Sequence, residues 1–216
     1  MKALFVTHSA KTLKLKEWAD KLGIQRKDSV FLHEAMKEEF TTWLDDKEIS
    51  VVVLHAHGNR LITLLGGKYL TTPEVKEVMR HRGDVLFLMM VSCYSWESDT
   101  PEAMIGKKGV ALTWGRLVAT TSGLRFVDYC VDAMIAQPDR PILDVWEELY
   151  LGRRWITQNF LPKFQGNPDL TWNDVLSPVL TIMTIDKVLE LIAEYKAHNA
   201  SIEEVLEAIA EYSRGK

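Results

Sequence analysis

The sequence predicts an α/β protein, a three-layer α/β/α sandwich with a mostly parallel central sheet. Four short apolar runs lack polar alternation, which is typical of strands buried on both faces. They are residues 3–6, 30–32, 51–54 and 85–91. The segments between them carry apolar side chains at helical spacing, and an alternation of strands with helices indicates a parallel sheet. With 216 residues, the chain can bury one sizeable core.

The remaining elements follow from turn and capping signals. Two apolar pieces around Gly66-Gly67 predict a small hairpin over residues 60–70. A helix is expected from Thr72 to about residue 81, because Pro73 occupies its first position. Further along, we expect a fifth strand, two amphipathic helices and a loop-rich closing segment, over residues 109–114, 122–136, 143–160 and 162–174 respectively.

We expect one main domain over residues 1–174 and a helical extension over residues 175–216. Apolar spacing predicts a C-terminal helical hairpin, with helices over 179–195 and 202–212. Ser201 with Glu204 three residues later forms a capping-box pattern at the start of the second helix. The extension is expected to pack on the main domain or to project from it.

Composition excludes several classes of function. Acidic and basic residues are interleaved, and the net charge is −4. The sequence has no basic stripe of the kind that binds nucleic acid, so we expect no nucleic-acid partner. No run of eighteen apolar residues and no signal-peptide pattern occur, so we expect a soluble cytoplasmic protein without membrane contact. Cys93 and Cys130 are too few for a disulfide framework, and no cysteine cluster has zinc spacing. We expect neither a metal nor a cofactor.

The residues that carry chemistry follow the third and fourth strands. His57-Gly58 comes after residues 51–54, and Cys93 comes after residues 85–91. In an open α/β sheet, ligands bind beyond the carboxyl ends of the strands. If these two strands are adjacent and parallel, His57 and Cys93 emerge side by side. The sequence therefore predicts a catalytic dyad.

A thiol and an imidazole suit acyl transfer. The Cys93 sulfur would attack a carbonyl carbon, and His57 would hold the proton and deliver it to the leaving amine. The backbone N–H groups of Gly58 and Cys93 are the candidate oxyanion donors, since a residue without a side chain lets a substrate carbonyl come close. The chain order, histidine before cysteine, excludes a papain-like enzyme.

The pattern resembles the superfamily of caspases, gingipains, legumains and separases, and within it most resembles the CHAT domains. An apolar strand ends in His57-Gly58, a hairpin and a helix starting near Leu70-Thr71-Thr72 follow, and a second apolar strand ends in Cys93. Residues 109–114 resemble the next strand of such domains, and residues 166–170 resemble a Gly-Asp-Pro segment near their end. The resemblance covers roughly residues 1–172. It implies a caspase-like fold and a cysteine endopeptidase that acts on polypeptides.

The chain also departs from this superfamily. Caspases carry Gln-Ala-Cys-X-Gly where residues 91–95 read Val-Ser-Cys-Tyr-Ser, so specificity for aspartate is not implied and the preferred substrate side chain stays open. Trp96 implies another shape for the turn after the cysteine and suggests a lid over the cleft. His8 is a candidate third residue that orients the histidine, as some relatives imply. The candidate site-lining residues are His8, Ser92, Trp96 and Trp114.

Three other interpretations stay open. The first is an inactive or regulated module of the same fold, which docks a protein partner through its C-terminal helices. The second is a small-molecule hydrolase or transferase that uses the same thiol. The third is a metal site at His55 and His57, which is weak because the remaining ligands are not apparent. We interpret His55 as a structural histidine on the side of the sheet opposite His57, and Cys130 as a core residue.

Overall fold

The computed structural model describes residues 1–8, 14–59, 62–118, 120–153 and 161–176. The chain divides into two units, Met1–Val175 and Leu176–Lys216. Apart from Leu176, the second unit lies outside the described residues. The helical hairpin expected over 179–195 and 202–212, with its Ser201–Glu204 capping box, therefore lies outside them too.

The described residues form nine strands in two sheets. In chain order they are β1 (Lys2–Thr7), β2 (Ser29–His33), β3 (Ile49–His55), β4 (His57–Gly58), β5 (Ile62–Leu65), β6 (Lys68–Thr71), β7 (Phe87–Val91), β8 (Val110–Trp114) and β9 (Pro162–Gly166). The central sheet has the order β2-β1-β3-β7-β8-β9, in which the first five strands are parallel and β9 is antiparallel to β8. The predicted α/β fold with a mostly parallel sheet is therefore confirmed.

The described residues form seven α-helices. They are α1 (Lys14–Lys21), α2 (Lys37–Leu44), α3 (Thr72–Met79), α4 (Thr100–Ile105), α5 (Thr120–Ile135), α6 (Ile142–Gly152) and α7 (Trp172–Leu176). None of the described helices is long and apolar enough to cross a bilayer. Of the helix predicted over residues 143–160, the described part ends at Gly152, and residues 154–160 lie outside the described chain.

Helices cover both faces of the central sheet. On one face, buried side chains of α2, α3 and α4, among them Phe40, Val75 and Met104, join one core cluster with apolar strand residues. On the other face, the ring of Phe87 in β7 lies 5.6 Å from Trp146 of α6 and 5.1 Å from Trp172 of α7. This burial on both faces explains why the strands read as continuous apolar runs.

The small second sheet begins directly after β3, with β4 at His57. The strands β4, β5 and β6 pair antiparallel, and Gly66 and Gly67 turn between β5 and β6 with φ of +54° and +77°. Glycine suits this turn because it adopts positive φ without steric cost. The predicted hairpin is thus present, and it continues the strand that carries His57.

One prediction was wrong at the edge of the central sheet. Residues 162–174 were expected to be loop-rich, but residues 162–166 form β9, which pairs antiparallel with β8 from Pro162 opposite Trp114 to Gly166 opposite Val110. Pairing with β8 and packing on α6 stabilise this short strand, which has one large apolar side chain. Neither interaction can be predicted from the local sequence.

Candidate active site

The carboxyl ends of β1, β3 and β7 meet at one edge of the central sheet. Thr7 pairs with His55, and His55 pairs with Val91. The pairing continues past the strands, because the Ala56 N–H donates to the Val91 carbonyl at 3.2 Å. His57 and Cys93 thus come two residues after His55 and Val91, which are paired across the two strands. The condition set by the sequence, that their strands are adjacent and parallel, is met.

Gly58 packs directly on the residues that precede and include the candidate nucleophile. A Cβ atom at Gly58 would stand 1.9 Å from Ser92 Oγ and 3.0 Å from the Cys93 carbonyl oxygen. The missing side chain therefore makes room for the Ser92–Cys93 backbone, in addition to any role toward a substrate. The Ser92 side chain is buried, and its Oγ has no hydrogen-bond partner among the described residues.

Replacing Gly58 by alanine should lower the free energy of unfolding by about 2 kcal/mol, because one extra carbon must fit into a filled site. Urea unfolding measures this. Gly83→Ala is the matched control, since a Cβ there meets no atom within 4 Å. Adding Ser92→Gly to Gly58→Ala should restore part of the loss, since it removes the nearest clashing atom. A Gly58→Ala protein as stable as the control would contradict the close packing.

The Cys93 side chain is half-buried and lies against the segment that follows β8. The Val118 N–H donates to Cys93 Sγ at 3.4 Å, and Sγ lies 3.8 Å from the Val118 carbonyl oxygen, which can accept from the thiol. In the described part of the chain, the Cys93 backbone N–H donates no hydrogen bond. Its role as an oxyanion donor, expected from the sequence, stays a prediction.

The turn after Cys93 is held in a defined shape. Tyr94 adopts the left-handed conformation with φ of 55°, and its N–H donates to the Arg116 carbonyl at 3.2 Å. Ser95 starts a short 3₁₀ turn, and its hydroxyl donates to the Met90 carbonyl at 3.3 Å while accepting from the Trp114 N–H at 3.0 Å. A non-glycine residue with positive φ persists only where its surroundings fix it.

For the two tryptophans expected to line the site, Trp96 and Trp114, the described contacts are with residues other than Cys93. Trp114 is fully buried with its ring 5.9 Å from that of Phe126, and its backbone N–H donates to the Ser95 hydroxyl of the turn. Trp96 is 39% exposed, and its ring faces the Lys163 ammonium of β9 at 5.7 Å. The contacts of Trp96 are thus with the edge strand rather than with Cys93.

The imidazole of His57 lies in a row of three histidines. The His8 ring centroid is 4.2 Å from that of His57 and 4.7 Å from that of His55. His8 Nδ1 is 3.2 Å from the His55 carbonyl oxygen, which can only accept, so Nδ1 is the donor. Burial, with a contribution from the His57 charge, lowers the pKa of His8 from its ordinary value despite that hydrogen bond.

His55 does not lie on the side opposite His57, and that expectation was wrong. Residues two apart along an extended chain share a face, and both rings contact His8. His55 is buried, and its Nδ1 lies 3.3 Å from the Thr7 hydroxyl. Burial, followed by the charges of His8 and His57, lowers the pKa of His55 to about 4. His55 is therefore neutral near neutral pH and serves as a buried structural residue.

His57 and Cys93 occupy opposite flanks of the Gly58–Ser92 contact. His57 lies toward His8, which follows β1, whereas Cys93 Sγ lies toward Val118, which follows β8. The strands β1 and β8 lie on opposite sides of the β3–β7 pair. Within the described residues, no hydrogen bond joins the imidazole to the sulfur. The two residues are neighbours through their backbones, and their side chains contact different segments.

No family model matches the chain, and no curated protein matches it either. The resemblance to the caspase-like superfamily therefore depends on the sequence motifs alone and stays a prediction. Among the residues that the structure describes, no group of three or more His, Cys, Asp or Glu side chains is placed to hold a metal ion.

Sequence reasoning missed the part played by residues 115–118. This segment supplies the carbonyl that holds Tyr94 and the N–H that contacts Cys93 Sγ. A usable signal was present, since the segment follows a predicted strand of the same parallel sheet and so had to emerge at the same edge.

Proposed function

We propose that the chain is a cysteine endopeptidase with a caspase-like three-layer fold, in which Cys93 is the nucleophile and His57 the general base and acid. The observation that supports this best is the contact of Gly58 with Ser92 and Cys93 at the ends of two adjacent parallel strands. That contact keeps the histidine-bearing and cysteine-bearing segments together, as a dyad requires.

In the proposed reaction, the Cys93 sulfur attacks the carbonyl carbon of the scissile peptide bond. His57 takes the thiol proton and passes it to the amine as the carbon–nitrogen bond breaks, which leaves a thioester on Cys93. Water, deprotonated by His57, then adds to the thioester, and the acid product leaves as the thiol is regenerated. The backbone N–H groups of Gly58 and Cys93 would hold the oxyanion, which is typically worth about 3 to 4 kcal/mol per donor.

His8 would act as a positioning residue in this scheme. Its Nδ1–H donates to the His55 carbonyl, and burial lowers its pKa, which favours the neutral ring beside His57. A neutral neighbour allows His57 to carry the catalytic proton without repulsion from a second cation at a ring separation of 4.2 Å. Substrate binding would have to turn His57 from His8 toward the sulfur, because geometry without substrate is often open.

The second candidate is an interaction module of the same fold without turnover. The placement of His57 against His8 and of Cys93 against Val118 favours it, since neither group activates the other in this arrangement. In this account the partner docks through the helices predicted over residues 179–195 and 202–212, which lie outside the described residues.

Labelling with a library of electrophilic peptide probes distinguishes the two candidates. The proposed peptidase should take up one probe, on Cys93 and not on Cys130, which is fully buried and whose thiol has a pKa raised by that burial. Peptide mapping by mass spectrometry identifies the site. Cys130→Ala is the matched control and should label like the parent protein. Undiminished labelling of Cys93→Ala, or no labelling of the parent protein, would contradict the proposal.

A further inference from the structure

A groove opens beside β9, next to the candidate site but separate from the dyad. It has a volume of about 390 Å³, and Trp96, Leu161 and Phe164 are among the residues that line it, whereas His57 and Cys93 are not. Volumes of this size are typical of sites that bind a small molecule or a large side chain.

Two segments connect the lining of this groove with Cys93. Trp96 follows Cys93 by three residues, on the 3₁₀ turn that the Ser95 hydroxyl fixes. On the other side, the Leu161 carbonyl accepts the Gly115 N–H at 2.8 Å, and Val118 of the same segment contacts Cys93 Sγ. A polypeptide that reaches Cys93 would therefore pass close to the groove.

Six of the eight residues that line the groove are aromatic or aliphatic, and the other two are charged. The rings of Tyr150 and Phe164 meet edge to face with centroids 6.1 Å apart. Trp96 is 39% exposed and Leu151 58% exposed, so apolar surface stands open to solvent at its margin. Concave apolar surface of this kind gains free energy when an apolar group displaces its water.

The charges at the groove balance. Glu147 and Lys163 both line it, with opposite formal charges, and the Lys163 ammonium already lies over the Trp96 ring. An ionic side chain of either sign would gain from one of these groups and be repelled by the other. The groove therefore favours an uncharged occupant.

We propose that this groove is a specificity subsite that holds one large apolar side chain, aliphatic or aromatic, of the polypeptide cleaved at Cys93. The proposal rests on the peptidase function and adds its substrate class: peptides with a large apolar residue at one fixed position relative to the scissile bond.

Binding is tested first in the Cys93→Ala protein, where turnover plays no part. With ¹⁵N-tryptophan labelling, addition of N-acetyl-leucinamide should shift the indole N–H resonance of Trp96, assigned with Trp96→Phe, in a saturable manner. N-acetyl-aspartamide should not shift it, and Leu151→Asp should abolish the shift. Tyr69→Ala, which removes an exposed aromatic ring outside the groove, should leave it unchanged. No saturable shift at Trp96 would overturn the proposal.

Selectivity is tested second, with a positional library of fluorogenic peptides and the active protein. Trp96→Ala should lower kcat/KM about tenfold for peptides with a large apolar residue at one position, mainly through KM, and leave peptides with alanine there unchanged. An equal loss of kcat/KM for both kinds of peptide would overturn the assignment of the groove as a specificity subsite. If the active protein cleaves no peptide while the Trp96 resonance still shifts, the peptidase function fails and the groove stands as a binding site.

Discussion

Replacing Cys93 by alanine should lower kcat/KM for peptide hydrolysis by at least about three orders of magnitude, because a nucleophile has no substitute among the other groups of a site. His57→Ala should have a loss of similar size, since the same imidazole handles the proton in both halves of the reaction. Initial rates with the fluorogenic peptide library measure both.

A histidine away from the dyad provides the control for this experiment. His33→Ala removes an exposed histidine at the end of β2, on the far side of β1 from β3, and should leave kcat/KM unchanged. Hydrolysis that survives Cys93→Ala would come from another group or from a contaminant, and it would contradict the assigned nucleophile. If only His57→Ala stays active, the thiol works without the imidazole and the dyad is wrong.

The free energy of unfolding should fall by roughly 3 kcal/mol as the pH is lowered from about 6.5 to about 4, since the pKa of His55 drops from 6.5 to about 4 on folding. The folded pKa lies below the unfolded one, so the unfolded chain binds the proton first. Stability from this residue is complete above pH 6.5 and is lost progressively below it. His8, whose pKa is also lowered by burial on folding, contributes with the same sign.

Urea unfolding at a series of pH values separates the contribution of His55 from general acid destabilisation. His55→Gln removes the titrating group, so its stability should depend less steeply on pH between 6.5 and 4 than that of the parent protein. His33→Gln, which removes an exposed histidine, should keep the parent slope. Equal slopes for all three proteins would show that burial does not hold His55 neutral.

Most of the sheet could be predicted from local sequence because its strands are buried on both faces. β1, β3 and β7 are apolar almost throughout, and burial of nearly every side chain leaves no other pattern. β9 could not be predicted, because Lys163 and Gln165 are partly exposed and the strand exists through its antiparallel pairing with β8. Its signal is tertiary, and the sequence around Pro162 is typical of a loop.

The position of the candidate site could also be predicted, whereas the directions of its side chains could not. The strand ends that carry His57 and Cys93 follow from chain order and parallel pairing. The directions depend on the turn at Tyr94, and a tyrosine in the sequence does not indicate a positive φ. They also depend on the contacts of Cys93 with Val118 and of His57 with His8. The sequence predicts where the candidate site lies and which residues form it, and the structure adds that the His57 and Cys93 side chains lie on opposite flanks of Gly58.

The most direct test of the dyad is the distance between Cys93 Sγ and the nearest His57 ring nitrogen in a crystal of the protein with a peptide aldehyde bound through Cys93. The proposed mechanism predicts that His57 leaves His8 and comes within about 4 Å of the sulfur or of the hemithioacetal oxygen. A ring that stays against His8, more than about 8 Å from the sulfur, would contradict the dyad, because no proton could then pass between the two groups.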